Sequence, residues 1–300
     1  MIAIFFAICA AASNATGTVL QRRAASLAPA DETMRLALVK DLIRRPIWLA
    51  GIGGLIGGFL FQALALSHGE LSLVQPIVVA ELPLTLAVAA LLFRARLDRD
   101  AIGGAIAVSA GLALVMLATD PHGGHEANGW LTWFAACVVS VGVGLALVLA
   151  GLRLHGGRRG TLFGAAAGLG FGFTAALMKG ALDRINDGVG AVVSSWQLYA
   201  MVVTGIASVF LIQNALQAGS LVAVQPAITI CDPLTSVGYG VFLFGEQLRG
   251  GIWLLPSLVG AITIAVGSVV LSRSPLSAAD GSDLVPTPTS GTRVGTAGSS

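Results

Sequence analysis

Nine apolar stretches, each near the length that crosses a hydrocarbon core, leave this 300-residue chain no route to a soluble fold. They lie near 2–20, 47–67, 71–93, 101–118, 130–150, 161–181, 190–213, 220–244 and 252–271. Hydrophobic residues make up 55% of the chain and charged residues 11%, too little polar surface for an ordinary water-exposed domain. The expected fold class is therefore an all-α integral membrane protein in contact with the lipid bilayer.

The stretches are not independent of one another. Gln75-Pro76, six residues and Pro83-Leu84-Thr85 recur 150 positions later as Gln225-Pro226, six residues and Pro233-Leu234-Thr235. An ungapped comparison of 65–85 with 215–235 gives ten identities in 21 positions, which marks an internal duplication. The third span then corresponds to the eighth, spans one to four to spans six to nine, and span five is the connector. An odd number of crossings between the copies inverts one against the other, the arrangement of many secondary transporters, whose sites lie near the midplane. The chain divides into a first repeat at 1–118, a connector with span five at 119–160, a second repeat at 161–272 and a tail at 273–300. Composition rich in Ser, Thr, Gly and Pro predicts that this tail is disordered.

Basic residues orient the chain. Fourteen of the 17 Lys and Arg fall on one set of alternate loops or the tail, and only Lys179, Arg184 and Arg249 belong to the other side. The positive-inside rule then places the N-terminus outside and the C-terminus in the cytoplasm, with the plasma membrane as the expected location. Residues 1–13 also resemble a secretory signal ending in Ala11-Ala12-Ser13. However, no Lys or Arg precedes the apolar core and Arg22-Arg23 follow it, so they are read as a first span. Between Asp31 and Pro46, apolar residues at helical steps opposite Arg35, Lys40, Arg44 and Arg45 predict a short cytoplasmic interfacial helix over 31–46.

Each copy of the repeated motif carries an acid inside its span, Glu81 in the first and Asp232 in the second. A charge at that depth costs about 2.5–3.5 kcal/mol on insertion scales, so such residues usually face a cavity or a partner. Gln225, Thr229, Asp232 and Ser236 follow at steps of four, three and four and share a helical face, with Thr235 at its edge. Thr85 lies one turn beyond Glu81; Asn14 and Thr18, with Gln21, share a face of span one; Ser195 and Tyr199 mark span seven. These are the candidate cavity walls for a substrate or ion, and Asp232 with Glu81 is the candidate metal-binding pair. Pro83 and Pro233 lack the N–H that would bond the carbonyls of Val79 and Thr229, so they are the candidate kinks. Pro76 and Pro226 are expected near helix starts, where a missing N–H matters little.

Several other features read as structural. Cys9, Cys137 and Cys231 lie in apolar spans without metal or disulfide spacing. His122 and His125, with Asp120 and Glu126, form a Gly- and Pro-rich turn that reads as a turn and not as a metal site. The glycines of 51–57 and 168–172 lie inside spans, where Gly53 with Gly57, Gly54 with Gly58 and Gly164 with Gly168 suit close helix contact. Lys179 is expected to snorkel to the interface.

Taken together, the two related repeats, Gly245-Glu246 closing span eight and the glycine-rich last span from Gly260 to Gly267 resemble the drug/metabolite transporter superfamily, EamA-like. Within it, Leu20-Gln21-Arg22-Arg23-Ala24, Ser72-Leu73-Val74-Gln75-Pro76, Asn214-Ala215-Leu216 and the nine-span count are most similar to the NIPA-like branch, associated with magnesium transport. The resemblance extends to about Ser272. Most EamA-type relatives have ten spans, and small multidrug members use a glutamate in the first helix that span one here lacks. The resemblance implies a transporter, not an enzyme, moving a small molecule or cation by alternating access, with magnesium or a coupling proton in transit and no resident cofactor. A proton-coupled exporter of a polar metabolite or drug is the alternative, and an intramembrane enzyme a remote one: no GxGD surrounds Asp232 and no His/Ser cluster accompanies it. Nucleic acid is not an expected partner, and a homodimer is compatible with this reading.

Overall fold

The computed structural model of the chain describes residues 1–26, 46–93, 98–124 and 129–273. The expected interfacial helix at 31–46, apart from Pro46 itself, and the tail beyond Arg273 lie outside the described residues, as do His125 and Glu126. In order, the long elements are α1 (Ile2–Ser26), α2 (Pro46–Ser67), α3 (Leu71–Val78), α4 (Glu81–Phe93), α5 (Arg99–Thr119), α6 (Trp130–Leu152) and α7 (Gly157–Leu182). They continue with the short α8 (Val189–Val193), then α9 (Trp196–Ala218), α10 (Leu221–Phe244) and α11 (Leu254–Arg273). Among the described residues nine segments are helical, long and apolar enough to cross a membrane, with α3 and α4 together making the third. The protein is a multi-pass helical membrane protein.

Glycine decides which helices touch. α1 packs on α2, where a Cβ at Gly54 would run into the Gly17 backbone and one at Gly58 into the Asn14 side chain. α7 packs on both α9 and α10, with Gly160 against Gly219 and Gly164 against Val224. α5 and α11 make the most extensive contact: Gly104 meets the Gly267 carbonyl and Gly111 the Gly260 carbonyl, so these two helices cross antiparallel, backbone against backbone. In a membrane, where lipid tails compete for apolar contact, such close approach supplies much of the association. Gly53 takes no part, since a Cβ there would meet nothing within 4 Å.

Three expectations need correction. Span seven begins at Trp196 and not near 190, because α8 ends before Ser194, and Ser195 adopts an extended conformation (φ −71°, ψ 134°) ahead of α9. Lys179 does not snorkel: it is buried, its Nζ donates to the Gly69 carbonyl at 2.9 Å and sits 5.2 Å from the centre of the Phe244 ring. Inside an apolar bundle, a carbonyl of the turn between α2 and α3 and an aromatic face compensate the ammonium. Finally, Pro76 and Pro226 stand in the second turns of α3 and α10, which start at Leu71 and Leu221. Each therefore omits a helical bond, to the carbonyls of Ser72 and Val222.

Candidate functional site

The third span is interrupted where the acid lies. α3 ends at Val78, Val79 and Ala80 form a turn, and α4 opens on Glu81. Through the break the amides bond three residues back: Val79 to the Pro76 carbonyl, Ala80 to Ile77 and Leu82 to Val79, at 3.1, 2.9 and 3.1 Å. The Val79 carbonyl, expected to be bare for want of an N–H on Pro83, is thus satisfied by Leu82. Pro83 lies in the first turn of α4, where it has no helical bond to lose. The eighth span behaves differently, because α10 runs without interruption from Leu221 to Phe244 through both Pro226 and Pro233.

Glu81 faces span one. Its half-buried carboxyl group is hydrogen-bonded by the side chains of Asn14 and Thr18, successive turns of α1. Asp232, also half-buried, accepts a long hydrogen bond from Ser236 Oγ at 3.4 Å and lies close enough to Glu81 for the two acids to interact electrostatically. The helix beside Asp232 offers no donor. Where α1 presents Asn14 and Thr18 to Glu81, α7 presents Gly168 and Gly172, which lie against the Asp232 backbone. The neighbouring helix gives Glu81 two side-chain donors and gives Asp232 only glycine backbone, leaving Ser236 of its own helix as its hydrogen-bond donor.

The rest of the polar stripe on α10 turns inward. Thr229 is buried, its hydroxyl donates to the Gln225 carbonyl at 2.9 Å and accepts from Ser268 of α11 at 3.3 Å. Ser236 is fully buried, whereas Ile230 and Leu234, off the stripe, are exposed on the surface of the bundle. Gln225 and Thr85 are half-buried, and no hydrogen bond from either side chain joins them to the acids. Thr235 packs against α7, where a Cβ at Gly172 would strike it. Of the span-seven candidates, Tyr199 is 59% exposed on the outer surface and so lines no cavity, and Ser195 Oγ donates to the Val192 carbonyl at 2.7 Å.

Several polar residues were missed by reading the sequence. Tyr239 extends the α10 stripe by another turn; its hydroxyl bonds Ser140 of the connecting span α6 and reaches the Ala136 carbonyl at 3.2 Å. The i+3 and i+7 spacing from Ser236 and Asp232 was the available signal. Ser268 and Ser272, both buried in α11, were announced by their four-residue spacing. Gln75 is buried in α3 with its amide nitrogen unpartnered. Glu246, just past α10, reaches back to α3: its carboxylate accepts the amides of Leu71 and Ser72 at 2.6 and 2.8 Å. Gly245, in the left-handed region at φ 60°, turns the chain inward so that this side chain can enter.

The Glu246 end of the bundle is tied further. His122 and Gln247 exchange backbone hydrogen bonds at 3.1 and 2.8 Å, the Arg249 amide donates to the Thr119 carbonyl, and Arg249 pairs with Asp120 at 2.8 Å. Among the described residues no three or more His, Cys, Asp or Glu side chains gather to hold a metal ion.

No family model matches the chain, and no solved structure matches it. It is 26% identical over 276 residues to an uncharacterized protein of Corynebacterium glutamicum, a match covering 91% of this chain and 96% of that one. The likeness thus spans nearly the whole membrane region of a protein of similar length.

Proposed function

We propose that the chain is a transporter of the drug/metabolite transporter type, not an enzyme, that carries a small cation or polar solute through a midplane cavity between its two halves. The observation that carries this is the convergence of Glu81 and Asp232, one from each copy of the duplicated motif, inside the membrane and within electrostatic reach of each other. Two carboxylates so placed relieve their repulsion by holding a cation or a proton, which is what a carrier site must do and release. The inverted-repeat reading is supported by the pairing of the helices. α1 packs on α2 and on the third span as α7 packs on α9 and α10, while α5 meets α11. The antiparallel glycine seam suits the same symmetry, since the glycines seven apart in α5 face the glycines seven apart in α11 in reverse order.

The ties at the Glu246 end, outside by the positive-inside rule, hold that side together in this conformation, and alternating access requires their release. Magnesium is the leading cargo, because it is commonly held by one or two carboxylates while keeping several waters. The protein reconstituted in vesicles loaded with a magnesium-sensitive dye should admit the ion, and Asp232→Asn should abolish entry. Flux unchanged in that variant would remove Asp232 from the mechanism. A proton-coupled exporter of a polar metabolite or drug is the second reading, favoured by the hydrogen bonds of Asn14 and Thr18 to Glu81, which hold the carboxyl group with no cation between them. Solute movement driven by an imposed proton gradient, with no magnesium flux, would select it.

A further inference from the structure

The turn between α6 and α7 gathers Arg153, which closes α6, with Arg158 and Arg159 in the first turn of α7. By the positive-inside rule it lies at the cytoplasmic face. The sequence holds no Asp or Glu from Ala127 to Leu182, a stretch that includes both helices. It holds none from Gly188 to Cys231 either, which includes α9 and the part of α10 packed on this end of α7. Among the described residues none of the three arginines forms an ion pair.

Membrane orientation explains arginines at this end of the bundle, but not their geometry. A cation in the first turn of a helix opposes the helix dipole, so Arg158 and Arg159 stand where the start of α7 is already positive. Arg159 is held there: its guanidinium lies 5.1 Å from the centre of the Phe163 ring, and its Nε is enclosed without a partner. Phe163 in turn rests on Gly151, where a Cβ would come within 2.7 Å of the ring, so the end of α6 and the start of α7 form one corner. Arg153 and Arg158 are exposed at its rim. Three guanidinium groups and a helix start repel one another, and an anion seated among them relieves that repulsion. Behind Arg153, Leu145, Leu149 and Leu152 are exposed along one face of α6, so the charged rim continues into an apolar one. A free anion would use the rim alone, whereas a phospholipid matches the rim and the face together.

We infer that this corner binds an anionic phospholipid of the cytoplasmic leaflet, its phosphate held by Arg153, Arg158 and the terminal nitrogens of Arg159 and its acyl chains lying along Leu149 and Leu152. Arginine suits the role, because its planar fork presents paired N–H groups to phosphate oxygens. A zwitterionic lipid offers the same phosphate but brings its own cation, so net charge decides the choice. The corner lies away from the midplane acids, and its failure would leave the transport reading untouched.

The test is native mass spectrometry of the full chain in detergent, titrated with dioleoylphosphatidylglycerol or with dioleoylphosphatidylcholine, which has the same chains. The first phosphatidylglycerol should bind at least about tenfold more tightly than the first phosphatidylcholine, and raising the ammonium acetate concentration should weaken only the former. Arg158→Gln, at an exposed side chain, should raise the Kd for phosphatidylglycerol about fivefold, the scale of one basic residue beside an anionic lipid. Arg153→Gln, Arg158→Gln and Arg159→Gln combined should bring it to the phosphatidylcholine value. Arg99→Gln with Arg273→Gln, on other helices at the same face, should leave it unchanged, as should millimolar inorganic phosphate. Equal affinity for the two lipids, or no loss in Arg158→Gln, would overturn the proposal. An equal loss in the Arg99 and Arg273 variant would overturn it by showing diffuse charge, and displacement by phosphate would do so by handing the corner to a free anion.

Discussion

Glu246 Oε1 accepts the backbone N–H of Leu71 at 2.6 Å across a sequence separation of 175 residues, so a residue just beyond α10 caps the start of α3. The first turn of α3 would otherwise leave buried amides without partners, because neither Glu70 nor any other local side chain caps it. Glu246→Ala should therefore lower stability by about 2 kcal/mol, read as a fall in the thermal unfolding midpoint in detergent. Glu246→Gln, which keeps a carbonyl acceptor, should cost less.

The seam between α5 and α11 makes a paired prediction. A Cβ on Gly104 would lie 2.8 Å from the Leu271 amide nitrogen and 2.9 Å from the Gly267 carbonyl, both backbone and unable to step aside. Gly104→Ala should destabilise by about 1–3 kcal/mol. Its neighbour Gly103 faces open space, so Gly103→Ala should be neutral or raise the midpoint slightly through helix propensity. Equal effects at the two positions would mean that the seam is not tightly closed.

Asn14→Ala with Thr18→Val would strip Glu81 of its hydrogen-bond donors while leaving both carboxylates in place. In vesicle flux assays the double variant should shift the half-saturating substrate concentration by about tenfold, the scale of lost bonds to a charged group. Asp232→Asn, in contrast, should abolish flux. Were both variants to transport like the parent, the convergence of the acids would have no part in transport.

Arg249 and Asp120 form a close ion pair, yet their side chains are 44% and 56% exposed. Arg249→Ala should change stability by less than about 1 kcal/mol, and added salt should shrink even that difference. The loop stays tied through main-chain bonds of Arg249, Gln247 and His122, which the substitution leaves intact.

Lys179→Met should act in the opposite sense to a surface lysine. It removes both a bond to the Gly69 carbonyl and a cation against Phe244, and differential scanning calorimetry should show a loss of about 1–2 kcal/mol.

What the chain reveals of itself before folding is mostly what is local. Length and apolarity suffice to find each crossing, since both are properties of about 20 consecutive residues. The start of span seven was misplaced for the same reason: Val189–Val193 is as apolar as the helix that follows, and only the extended Ser195 separates them. Helical spacing put Asn14 and Thr18 on one face and Thr229, Asp232 and Ser236 on another, but it held no information on which helix each face meets. Lys179 and Glu246 were beyond such reading, because the carbonyl and amides that hold them lie more than 100 residues away. The turn at Val79–Ala80 was hidden as well: two copies of one motif, with prolines at equivalent positions, fold into a broken span and an unbroken one.

That last difference makes the two halves mechanically unequal. A duplicated chain begins with interchangeable parts, each as stiff as its twin. Here one span is broken at two residues whose amides bond only three residues back, while its twin runs as one helix. If the chain works as proposed, the broken span is the place for a joint, and the duplication supplies a joint and a post instead of two matching levers.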